Sequence, residues 1–292
     1  MGAGGSPTLS LNACYPACTG DVAGQGGARP GGEGMMFSTT RRLVELLTPR
    51  ARGETVAEVR IGLGYTAVRL AGGHAGVSWT PRLDHGGCTH LRAAGTLAGR
   101  PAAELLAMLA DGGSDLARAV GLATANALLS APPRPPAARE EIVSLLDVTP
   151  ADRVVMVGFF APLVPKLEKA GCRLDVVELN PDRHATLPPE KRGAALAECT
   201  VAVITATTIV NDTLGGILEA LGAPRAAVLL GPSAPMCQEA FGGTKITHVA
   251  GARVRDPDAV LRIVSEGGGT GIMKAHLDFE TLVLPGGTGQ AS

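Results

Sequence analysis

Apolar positions follow two different rhythms along this chain, and the point where one gives way to the other divides it. Leu43, Val44, Leu46 and Leu47 follow Ser38-Thr39 at helical spacing, and Ser and Thr are favoured N-caps. "VAEVRIGLGYTAVRL" (56–70) then alternates apolar and polar residues around Gly62 and Gly64, the pattern of a hairpin, and "AGVSWT" (75–80) supplies a third strand. Helical spacing returns in "PAAELLAMLA" (101–110) and "SDLARAVGLATANALLS" (114–130), the second capped by Ser114 or Asp115. Strands followed by helices predict an α+β domain over 36–131.

"APPRPP" (131–136) cannot continue a helix, because proline lacks the amide hydrogen and fixes φ, so it marks the boundary. Beyond it the rhythm changes to short, wholly apolar runs at 153–158, 173–179, 200–206, 226–231 and 245–251. Helical segments near 161–170, 212–222 and 257–266 separate them. Strands apolar on both faces, alternating with helices, predict a parallel sheet covered on both sides, and hence an α/β domain over 137–276. The glycine-rich residues 1–35 read as a flexible leader and 277–292 as a tail.

Composition narrows the function classes. Lysine and arginine total 26 against 27 acidic residues, and aromatics are only 3%, so neither electrostatics nor base stacking points to nucleic acid. No run reaches the ~18 apolar residues of a membrane span, and six scattered cysteines do not form a dense disulfide framework. The expectation is a cytoplasmic protein with reduced thiols.

Ligand crevices of open parallel sheets lie beyond the carboxyl ends of the strands. There this chain places Gly158-Phe159-Phe160, then Glu178 with Asn180, then Thr205, Thr207, Thr208, Asn211 and Thr213, and finally Gly231-Pro232-Ser233. Glu178 stands twenty residues after Gly158, the separation at which dinucleotide-binding domains place a ribose-binding acid. Phe159 and Phe160, however, occupy the turn where a pyrophosphate needs bare backbone. Glu178 can equally cap a helix N-terminus. The hydroxyl-rich run 205–214 reads either as an anion-binding turn or as capping residues, with Asn211 and Thr213 as N-caps. Asn126 falls on the apolar stripe of its helix, so its amide needs partners, either within the first domain or across the domain junction.

Soft-ligand candidates are fewer. "LDHGGCTH" (83–90) gathers Asp84, His85, Cys88 and His90 in a spacing that matches no standard zinc pattern, and Cys14 and Cys18 form an isolated C-x3-C. Motifs of serine hydrolases, zinc proteases and P-loop nucleotidases are absent from the sequence.

"GLGYTAVRL" (62–70), "AGTLAGRPA" (94–102), "AVGLATANAL" (119–128), "MVGFFAPLVPKL" (156–167), "VVELNP" (176–181), "TATTIVNDTL" (205–214), "GPSAP" (231–235) and "LRIVSEGGGT" (261–270) occur in one order. Together they resemble a prokaryotic family of unknown function called "putative heavy-metal chelation". That resemblance implies an N-terminal domain similar to the enolase N-terminal domain, followed by an atypical Rossmann-like domain, with a site between them. It implies ligand-binding roles for Asn126, Gly158, Phe159, Glu178, Asn180, Thr207, Thr208, Asn211, Ser233 and Glu266. Phe160 joins Phe159 as an apolar wall, and Cys88 and Glu178 are the candidate ligands for a divalent transition metal. The leading expectation is a protein that binds a metal ion or a metal-chelating small molecule in an interdomain cleft. The alternative is an enzyme acting on an adenosyl-type or carboxylate-bearing substrate in that cleft. A scaffold with capped strand ends is the bland reading, and a homodimer is the expected assembly.

Overall fold

The structure, a computed structural model, describes residues 39–81, 90–111, 113–178 and 186–285. Helix α1 (Thr39–Ala51) leads into the antiparallel strands β1 (Val56–Ile61), β2 (Tyr65–Leu70) and β3 (Ala75–Trp79), followed by α2 (Ala102–Asp111) and α3 (Asp115–Ser130). The period-two and period-3.6 patterns thus become the elements they predict. Ser114 caps α3 by accepting the Ala117 N–H.

Helix α3 is the axis of the molecule. Every residue from Leu116 to Ser130 except Arg118 is buried, because α2, the small sheet and the second lobe cover it from all sides. Its alternating alanines allow close approach. A methyl group on Gly76 of β3 would lie 2.2 Å from the Ala127 amide nitrogen, so strand and helix backbone touch directly there.

The second lobe holds α4 (Ile142–Leu145), β4 (Arg153–Val157), α5 (Val164–Ala170), β5 (Arg173–Val177), α6 (Pro189–Glu198), β6 (Val201–Thr205), α7 (Thr207–Val210), α8 (Leu214–Ala220), β7 (Ala226–Leu230), β8 (His248–Val254), α9 (Pro257–Ser265), α10 (Thr270–Met273) and β9 (Leu277–Val283). The sheet order is β5-β4-β6-β7-β8-β9, parallel except for β9. Strand order reverses direction between β4 and β6. That is the topological switch point, where doubly wound sheets open a crevice at their carboxyl edge.

Besides the single-turn helices α4, α7 and α10, which were not expected, three elements differ from expectation. The strand expected over 245–251 runs from His248 to Val254, because β9 pairs along its whole length, from His248↔Val283 to Val254↔Leu277. Residues 277–283, expected in the tail, form β9 itself. Helix α6 was not foreseen, although two prolines at its start fit a helix N-terminus. The linker after α3 rejoins the second sheet, where Ala138 and Thr281 exchange backbone hydrogen bonds at 2.8 Å.

Candidate functional site

The switch point gathers most of the predicted polar residues. Gly158 follows β4 with φ +83°, and a Cβ there would meet Thr205 Cγ2 at 2.7 Å, so glycine is required both by the turn and by the end of β6. The space beside Gly158 is therefore filled by Thr205 rather than left bare for a pyrophosphate. This turn exposes the next amide: Phe159 N–H donates to Glu178 Oε2 at 3.0 Å. Phe159 and Phe160 are half-buried and pack on the apolar cluster containing Val154, Met156 and Leu167. Phe160 N–H meets Met156 Sδ at 3.4 Å.

Glu178 is held from its other side as well. Its N–H donates to Thr186 Oγ1 at 2.9 Å, and Arg192 Nη2 of α6 reaches its carbonyl at 3.4 Å. Thr186 and Arg192 were not singled out from sequence. A threonine and an arginine beyond the strand end carry no periodic signal, although "PPEKR" could have marked the helix that delivers Arg192.

Across the switch point, Thr205 and Thr207 hydroxyls lie 3.2 Å apart, and Thr208 Oγ1 donates to the Thr205 carbonyl at 2.6 Å. Thr207 is half-buried, whereas Thr208 is buried and committed to holding the turn. Asn211, expected as an N-cap, instead ends the single-turn α7, its N–H donating to the Thr207 carbonyl at 3.2 Å. Its Oδ1 accepts the Thr213 hydroxyl at 2.7 Å. Since neighbouring strands lie ~4.8 Å apart, the order β5-β4-β6 puts the Glu178, Gly158 and Thr205 backbones within about 10 Å of one another.

The first lobe overhangs this edge. Helix α7 packs on α3 and β3, and Arg118 Nε donates to the Val210 carbonyl at 2.7 Å. Asn126 Nδ2 donates both to Val77 O in the first lobe (2.9 Å) and to Ser233 O in the second (3.1 Å). Trp79 N–H donates to Ser233 Oγ at 2.8 Å. Asn126 and Ser233 are 5% and 2% exposed, so both are spent on joining the lobes. Glu266 is exposed at the C-terminal end of α9 and stands apart from the Glu178 cluster. Beside it, the 267–269 loop packs on the β1–β2 hairpin, and Tyr65 Oη meets Thr270 Oγ1 at 2.7 Å. Asn180, Cys88, His85, Cys14 and Cys18 lie outside the described residues.

The polar groups at these strand ends are the Glu178 carboxylate, the threonine hydroxyls and the Phe159 backbone N–H. Cys172 and Cys199 sit just before β5 and β6, at the opposite edge of the sheet, and burial pushes both thiols above their ordinary pKa. Among the described residues, no three of histidine, cysteine, aspartate and glutamate approach closely enough to hold a metal ion. No helix there is long and apolar enough to cross a membrane.

Fold and cluster together define a two-lobed α/β protein, with a parallel-rich, Rossmann-like sheet preceded by a small α+β lobe. Two family models, both described as "Putative heavy-metal chelation", match residues 44–129 and 141–283, and the chain belongs to that family. An uncharacterized protein of Methanocaldococcus jannaschii is 31% identical over 113 residues. That stretch is 37% of this chain and only 43% of the relative's length. The chain is also similar to the crystal structures of two family members with unknown function. The one from Pyrococcus horikoshii has a TM-score of 0.73 at 22% identity, covering 84% of this chain and all of that one. The one from Desulfitobacterium hafniense has a TM-score of 0.67 at 22% identity, covering 82% and 98% respectively. Both likenesses speak to fold.

Proposed function

We propose that this protein binds a divalent transition metal already wrapped in a small organic chelator, at the carboxyl edge of the six-stranded sheet beneath the first lobe. The observation that carries this reading is the placement of Glu178, the Phe159 amide and the Thr205–Thr207 hydroxyl pair at the adjacent carboxyl ends of β5, β4 and β6, with Asn211 six residues further on in the connection that follows β6. The hydroxyls can donate to the oxygens of a chelate while the Glu178 carboxylate takes an open position on its metal, whereas a bare heavy-metal ion prefers thiolate and imidazole. In this reading Glu178 is an oxygen donor to the complex, Thr207 and Asn211 orient it, and Phe159 with Phe160 forms the apolar side. Gly158 and Thr208 shape the turns around it, and Asn126 with Ser233 fastens the first lobe to the sheet. The family description agrees with a heavy metal as part of the ligand.

Thermal melting tests this. Protein stripped on a chelating resin is melted with Co²⁺, Ni²⁺, Cu²⁺ or Zn²⁺, each alone and as its citrate complex. A ligand at a hundred times its Kd adds about 2.7 kcal/mol, which raises Tm by roughly 5–10 °C in a domain of this size. One metal–citrate complex should do so, and Glu178→Ala should remove the gain, measured against its own unliganded melt, which the lost Phe159 contact lowers by about 1 kcal/mol. A full gain from the free ion would replace the chelate with a bare metal, and no gain from any ion or complex would refute the proposal.

A further inference from the structure

A pocket of about 470 Å³ lies at the lobe junction, and none of the switch-point residues lines it. The last turn of α1 (Leu46, Leu47, Arg50), the end of α3 (Leu129), the linker Pro133-Arg134-Pro135 and the loop after β7 (Met236, Cys237, Glu239) line it. Its volume falls within the range that holds small molecules.

The lining is sorted by chemistry. Leu47, Leu129, Met236 and Cys237 are all buried and make an apolar floor, whereas Arg50, Arg134 and Glu239 are exposed at the rim. Two guanidiniums against one carboxylate leave the rim one positive charge in excess. Arg50 Nη2 donates to the Pro133 carbonyl at 3.3 Å, which ties the helix end to the linker and leaves the other N–H groups of that guanidinium without a hydrogen-bond partner among the described residues. Arg134 makes no hydrogen bond or ion pair among the described residues. Its backbone is nonetheless restrained, because prolines on both sides fix their own φ and the following one drives Arg134 toward extended geometry. Little backbone entropy is lost when such a side chain engages an anion. In the loop after β7, Glu239 already accepts the Cys237 thiol at 3.6 Å.

We infer that this pocket binds a small organic monoanion, a short-chain carboxylate whose apolar body rests on the leucine, methionine and thiol floor and whose carboxylate is held by Arg50 and Arg134. The forked guanidinium matches carboxylate geometry, and the single excess positive charge selects one negative charge over two.

Calorimetric titration of the full chain at pH 7 with 4-methylpentanoate tests the inference. Saturable binding is expected, weakened about tenfold by Arg134→Gln and again by Arg50→Gln, each replacement removing a charge-assisted pair. Glu239→Gln should tighten binding severalfold, since it removes a like charge from a rim that remains folded. The neutral 4-methylpentanamide should bind about tenfold more weakly than the acid. Glu178→Ala should leave the affinity unaltered, so this site and the switch-point site can fail separately. Absence of saturable binding at millimolar ligand would overturn the inference. So would equal affinity for acid and amide, or affinity indifferent to both arginines.

Discussion

Asn126 and Asp152 show how single polar groups are used away from the ligand. Asn126 is buried, yet it satisfies two carbonyls, Val77 O and Ser233 O, that belong to different lobes. Asn126→Leu keeps the volume and strands both carbonyls, so it should cost about 2–3 kcal/mol, read by urea unfolding. An unchanged midpoint would show that the clamp carries no stability. Asp152, 5% exposed, accepts a two-pronged contact from Arg225 (3.0 and 2.7 Å) as well as the hydroxyls of Thr200 and Thr149. The Arg225 guanidinium is the main reason its carboxyl titrates far below the usual range, outweighing the opposing effect of burial, with the Thr200 hydroxyl and the Thr149 backbone N–H adding to the lowering. A depressed folded pKa stabilises fully above the unfolded value of about 3.9 and is lost as pH falls below it. Asp152→Asn should therefore destabilise at pH 7 by about 2 kcal/mol, discounted because Arg225 stays 35% exposed. The gap between variant and wild type should narrow as unfolding is measured from pH 5 down toward pH 2. A gap that is constant with pH would contradict this assignment.

At the scale of elements, β3 against α3 and the Gly158 turn against β6 are the two contacts that tolerate least change. Gly76→Ala would drive a methyl into the Ala127 amide region, and overpacking of this kind should cost about 3 kcal/mol or prevent folding. Wild-type stability in circular-dichroism melts of that variant would contradict the contact. Most of these elements were legible in the sequence, because buried strands of five or six apolar residues and a sixteen-residue capped helix impose strong periods. What was not legible came from pairing rather than pattern. β9 is an edge strand with Phe279 and Val283 exposed, so its residues resemble a tail until β8 supplies its hydrogen bonds. Asn211 was read as an N-cap because its residue type favours that role, whereas α7 stops after one turn and leaves Asn211 at its C-terminal end. For the site, residue types at the strand ends could be listed from sequence. That Ser233 and Asn126 face each other across the lobes could not, since 107 residues separate them.

On the scale of the whole molecule, a small α+β lobe is fastened over the carboxyl edge of a parallel sheet by α3, Asn126, Arg118 and the Trp79–Ser233 contact. The lobes thus meet at the carboxyl edge of the sheet, and a pocket sits at the proline linker that joins them. Whether a metal complex occupies the switch point decides between metal binding and a purely structural role for these residues. Anomalous diffraction from crystals grown with the stabilising metal–citrate complex locates it directly. A single anomalous peak beside Glu178, Thr207 and Asn211, absent from crystals of Glu178→Ala, is the expected result. A fully occupied peak elsewhere in the molecule would contradict it.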